Sequence, residues 1–211
     1  MAAGLVGWSF VSPRLPTAWR VVLQAGMGAL LVLATGARVG LRPPALRSGV
    51  RIGSAAAAAA GGAIAMTACL PPVRAAMAGR EVPDSVPGWL LVQIPLGTVW
   101  AEEATFRAAL GSAASEAFGR RGGIALQAIA FGLSHVVDAR SAGEPVIPTV
   151  LVTGVAGWWF GRLAERSGSL AAPMLLHLAI NEAGAIAALT VRRITLWRLE
   201  KYLMHHGRPT P

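Results

Sequence analysis

Charge is what this sequence has little of. Aspartate, glutamate, lysine and arginine make up 14% of the chain, against about 25% in a soluble domain. That deficit excludes a water-facing surface over most of its length. Cysteine is almost absent. Cys69 stands alone, which excludes an intrachain disulfide and any cysteine-rich metal site; at the end of an apolar segment it reads as an inert thiol. Acidic residues are also few, 10 against 19 Lys and Arg. The resulting charge of +9 would suit nucleic acid, but no basic face with interleaved aromatics carries it. Most arginines fall between apolar runs, where they act as topology signals and lipid-headgroup contacts. Two protease signatures are missing as well. There is no His-Glu-x-x-His zinc motif and no pair of aspartates within the apolar runs.

What is abundant is apolar sequence, 54% of the 211 residues, with mean hydropathy +0.54. These values predict an all-α, polytopic transmembrane helix bundle of about six spans, followed by a C-terminal interfacial amphipathic helix. Residues 1–16 read as short and turn-rich around Pro13 and Pro16. Spans are expected at residues 18–36, 52–70, 88–118, 124–137, 150–163 and 173–189. A cleaved signal peptide is the rival reading of the first, since Arg14 and Arg20 precede its apolar core and Thr35-Gly36-Ala37 resembles a cleavage site. The tract from Ala55 to Ala60 suits a thin helix that neighbours approach closely, and Gly157-x-x-x-Gly161 offers the same. Pro95 is expected to kink the third span.

Arg38, Arg42, Arg47 and Arg51, and later Arg120-Arg121, mark cytoplasmic loops, while the loop before Gly88 suits the outer side. Residues 191–202 mix Arg192, Arg193, Arg198 and Lys201 with Ile194, Leu196, Trp197 and Leu199, an interfacial pattern. Six spans from an outward N-terminus would leave this basic tail outside, against the rule. The chain divides into a variable part with two spans (1–87), a core (88–189) and a basic tail (190–211). An integral, multi-pass protein of a bacterial-type plasma membrane is the expected setting.

Polar residues interrupt three of the spans. Trp100-Ala-Glu-Glu-Ala-Thr-Phe-Arg107 puts two carboxylates and a guanidinium inside one apolar run. Each ionised group at bilayer depth costs about 2.5–3.5 kcal/mol on insertion scales. Glu103 and Arg107, four apart, share a helix face and form an ion pair, whereas Glu102 points about 100° away and stays free. His135 lies in the next span, and His177 and Asn181 in the last. Each taken alone reads as helix-packing chemistry. Together, a free carboxylate and two imidazoles are the parts that activate water in a dry site. The glutamate would take a proton from water and return it to a leaving amine. The histidines would position that water, stabilise an oxyanion or bind a divalent metal. Asn181, one turn after His177, would hold that ring or donate to the oxyanion. Zn²⁺ or another divalent ion on Glu102, His135 and His177 would leave a position open for water. A metal-free mechanism uses the same side chains, and sequence does not separate the two.

Glu102-Glu103-x-x-x-Arg107, Phe131-x-x-x-His135 and His177-x-x-x-Asn181, in that order on successive apolar helices, resemble the CPBP family. Its members are the CAAX-processing and bacteriocin-processing intramembrane proteases, also called type II CAAX prenyl endopeptidases or the ABI family. The resemblance covers residues 88–189 and implies a helical membrane bundle with the site in a cavity between helices. It implies that Glu102 is the general base and that His135 and His177 bind the water, oxyanion or metal. Asn181 would assist, while Glu103 and Arg107 hold the constellation in place. The implied partners are a peptide or protein substrate, membrane-anchored ones included, and the lipid bilayer. Two rival readings stand beside it. One is a rhomboid-type serine protease using Ser134 and His177; the other is a non-enzymatic immunity, scaffold or transport protein, although no internal repeat supports a transporter.

Overall fold

Peptide groups in lipid must be satisfied within their own segment, so long apolar runs become helices. A computed structural model of the protein describes residues 1–206, and among them every regular element is helical. Ala2–Val11 forms α1, Thr17–Thr35 α2, Ala45–Thr67 α3 and Pro71–Ala78 the short α4. A long helical stretch then begins at Val86 and is divided at Gly119, with φ 71° and ψ 167°. Only glycine adopts that backbone without steric conflict, so this residue fixes where the chain folds back on itself. Residues 86–118 are α5 and residues 120–134 are α6. Val136–Ser141 is α7, Val146–Ser167 α8 and Ala171–His206 α9.

Among the described residues, five helical stretches are long and apolar enough to cross a membrane: Thr17–Thr35, Ala45–Thr67, Val86–Ser141, Val146–Ser167 and Ala171–His205. The third holds both α5 and α6, which accounts for the six spans expected from sequence. Leu33, Leu91 and Ile147 are about three-quarters exposed, as lipid-facing side chains should be. The all-α polytopic bundle is therefore the fold.

Two local features differ from the sequence reading. Residues 1–16 are not mainly turn, because Pro13 and Pro16 constrain only the end of the segment. Ala2–Val11 is helical, with Leu5 buried against Phe106, Leu110 and Phe131. The basic tail is not a separate helix either, since no glycine or proline occurs between Ala185 and His206 to interrupt α9. Gly49 and Gly53 bring α3 close to the start of α9, and a Cβ on Gly53 would lie 2.8 Å from the Cα of Ala172.

The helices that carry the site are fixed by similar small-residue contacts. Gly28 of α2 meets Ala104 of α5, and Trp100 Nε1 donates to the carbonyl of Ala25 at 3.1 Å. Between α6 and α8, Gln127 Nε2 donates to the carbonyl of Gly157 at 2.9 Å. Pro95 lies within a stretch wound with wide i→i+5 turns, Trp89–Trp100, and a second such stretch spans Glu103–Leu110. Wide turns of this kind concentrate at functional sites.

A Cβ on Gly157 would come within 2.8 Å of the Phe131 ring. Gly157→Val should therefore destabilise the protein by about 1–3 kcal/mol through overpacking, read as a lower thermal midpoint in detergent. Gly61→Ala, where nothing lies within 4 Å, should leave the midpoint equal or slightly higher, because alanine is the better helix former.

Candidate active site

Glu103 and Arg107 occupy the second wide-turned stretch of α5, and both side chains are fully buried. Arg107 Nε lies 3.2 Å from Glu103 Oε2. The approach is a charge contact rather than an aligned hydrogen bond, because neither atom has a hydrogen-bond partner. The other oxygen, Glu103 Oε1, is 2.8 Å from His177 Nδ1 of α9. A carboxylate only accepts, so Nδ1 carries a proton; when the ring is neutral, Nε2 presents the lone pair. That Nε2 faces Glu102 Oε2 across 3.7 Å. The two adjacent carboxylates thus flank one imidazole, each at a different nitrogen. The helical offset that separates Glu102 from Glu103 is what carries it to the far edge of the ring. At 3.7 Å the contact is longer than a hydrogen bond, and buried Glu102 Oε2 has no hydrogen-bond donor among the described residues.

Aromatic rings complete the setting. Phe160 of α8 stacks on His177 with centroids 4.9 Å apart and planes 23° apart. Phe131 of α6 meets the same ring edge-on at 6.2 Å. The Arg107 guanidinium lies 3.9 Å from the Phe131 centroid and 4.9 Å from that of Phe160. Its terminal nitrogens lack hydrogen-bond acceptors, so the ring faces and Glu103 together hold the cation.

A cavity of about 420 Å³ opens in front of Glu102. Its wall includes His135, Asn181, Asp138, Gln93 and, from α1, Trp8. His135 caps the end of α6, and its Nδ1 donates to the carbonyl of Phe131 at 2.7 Å, leaving Nε2 unused. Asn181 Nδ2 donates to the backbone carbonyl of His177 at 3.0 Å. The His177 ring is therefore held by Glu103, not by Asn181. The six residues singled out from sequence sort into two layers. Glu102, His135 and Asn181 line the cavity; His177, Glu103 and Arg107 lie behind it.

The Ser134–His177 pair is not formed. Ser134 Oγ donates to the carbonyl of Phe131 at 2.8 Å, and His177 is committed to Glu103. Nor do the candidate metal ligands gather, for among the described residues no group of three or more His, Cys, Asp or Glu side chains is placed to hold a metal ion. Two contributors escape sequence reasoning. Phe160 follows Trp158 and Trp159, which are about half exposed, and nothing in the sequence marks it as the ring that stacks on His177. Trp8 sits in a segment read as turn.

Carboxylates and imidazoles thus lie at and behind a cavity in an all-helical bundle, an arrangement able to carry acid–base chemistry. Residues 84–183 match the family model described as type II CAAX prenyl endopeptidase Rce1-like. That segment, a little under half of the chain, is similar to this CAAX protease family and holds all six residues singled out from the sequence. No curated protein and no solved structure matches the chain.

Removing one partner of a buried ion pair strands the other charge, at about 3–5 kcal/mol. Arg107→Leu should lower the thermal midpoint accordingly. Adding Glu103→Gln to it should recover part of the loss, so a double-mutant cycle should show coupling. Purely additive effects would mean that the two charges do not interact.

Proposed function

We propose that the protein is an intramembrane endopeptidase in which Glu102 activates water for peptide-bond hydrolysis. The observation that carries this reading is the unpartnered Glu102 carboxylate, set between an open cavity and an imidazole locked in one orientation. The family match over residues 84–183 supports the reaction class. In this reading, Glu102 takes a proton from water while the water oxygen attacks the scissile carbonyl carbon. His135 Nε2 accepts the water's other hydrogen and orients it. Asn181 has one amide N–H left after bonding the carbonyl of His177, and this donates to the oxyanion. Glu102 then passes its proton to the amide nitrogen, the C–N bond breaks, and the new carboxylic acid gives the proton kept from the water to the freed amine, so that a carboxylate and an ammonium leave. His177, Glu103 and Arg107 position the base and offset its charge without touching substrate.

In this reading the reaction proceeds without a metal, a choice supported by the spread of Glu102, His135 and His177, which form no three-ligand group among the described residues. The substrate is a peptide or protein held in or at the membrane. The setting is a bacterial-type plasma membrane with the arginine-rich helix ends on the cytoplasmic side.

Glu102→Gln should reduce cleavage of a fluorogenic peptide library in proteoliposomes by at least about 100-fold, with an unchanged thermal midpoint. Ser134→Ala should cleave as the wild type does. A fully active Glu102→Gln protein would end the proposal and leave a scaffold or immunity role. Exhaustive chelation should leave the rate unchanged; a loss restored by Zn²⁺ would replace the metal-free reaction with a metal-held one.

A further inference from the structure

A second cavity, of about 490 Å³, lies on the other side of the Glu103–Arg107 pair. Arg38 from the α2–α3 loop, Arg107 of α5 and Arg120 at the start of α6 all line it. Its one carboxylate, Glu165, is already bound by Arg120 and by Arg162. Arg107 Nη1 and Nη2 are buried and have no hydrogen-bond partner. Arg38 has no ion-pair partner among the described residues. The wall therefore carries guanidinium donors in excess of the acceptors the protein supplies. Ser112 adds a hydroxyl, and Gln127 a buried carbonyl oxygen that is also unpartnered.

We propose that this cavity binds a phosphate-bearing anion. Guanidinium forks match phosphate oxygens, and the Gln127 oxygen would accept from a hydroxyl on the same ligand. The position favours a phospholipid headgroup. Arg38 in the α2–α3 loop, Arg120 beside the Gly119 break and Gly168 at the end of α8 line the cavity, and arginine-rich ends of membrane helices are where basic pockets recruit anionic headgroups. Free phosphate offers the same chemistry. Neither source depends on whether the chain cleaves peptides.

The test uses the full-length protein and reads binding, not activity. Thermal unfolding is followed in neutral detergent during titration with inorganic phosphate at constant ionic strength. It is followed in parallel in phosphatidylcholine nanodiscs with and without phosphatidylglycerol. Arg38→Gln perturbs the site, Ser112→Leu fills it, and Arg192→Gln with Arg193→Gln on the basic tail is the control. Saturable stabilisation of wild type and control, weakened about tenfold or more in Arg38→Gln, is expected for loss of a charge-assisted contact. Ser112→Leu should abolish it. Stabilisation by phosphatidylglycerol alone identifies a lipid headgroup; stabilisation by inorganic phosphate identifies the free ion. No stabilisation by either, or equal stabilisation of wild type, Arg38→Gln and Ser112→Leu, overturns the proposal.

Discussion

Everything in the core depends on one buried chain of contacts, from Arg107 through Glu103 to His177. An isolated carboxylate in a dry helix bundle would be costly enough to neutralise or to expel its segment. Here the charge is met from two directions, by a guanidinium 3.2 Å away on its own helix and by an imidazole 2.8 Å away on another. That pairing lets α5 remain buried while carrying ionised groups. It also fixes His177 so that its free nitrogen faces Glu102. The costly charges are thus divided by role. One carboxylate is spent on structure, and its neighbour faces the cavity.

The rest of the fold brings helices close enough for this chain to form. Glycines at 49, 53, 132 and 157 let backbones approach where a methyl group would collide. Such contacts drive association in lipid, where apolar burial between helices offers little advantage. Phe131 and Phe160 then fill the space around Arg107 and His177, and their faces stand in for hydrogen-bond acceptors that a membrane interior lacks. Stability and site geometry therefore rest on the same residues. A change that loosens α6 against α8 will move the rings that flank His177.

Much of this was legible in the sequence, because polar residues inside apolar runs are conspicuous and their four-residue spacing has few structural meanings. Glu103 and Arg107 pair as that spacing predicts. Glu102, His135 and Asn181 reach one cavity from three helices. What could not be read was which layer each residue joins. His177 looked like a cavity residue and lies behind it, since its ring direction follows from Glu103 on another helix rather than from anything near it in sequence. Phe160 was invisible for a similar reason, because adjacent aromatics in an apolar helix look alike until packing divides lipid face from core. The helix at Ala2–Val11 depends on a tertiary anchor, Leu5, and the continuity of α9 on the lack of any glycine or proline between Ala185 and His206. Composition alone suggested a boundary there, where charge begins to rise.

The most direct test of the central claim is the protonation pattern of one ring. With ¹⁵N-labelled histidine in detergent-solubilised protein, the His177 signals are assigned by their loss in His177→Gln. The structure requires a proton at Nδ1, as the neutral Nδ1–H tautomer or as imidazolium, and that proton should weaken or shift in Glu103→Gln. A neutral ring with its proton on Nε2, indifferent to Glu103, would contradict the account.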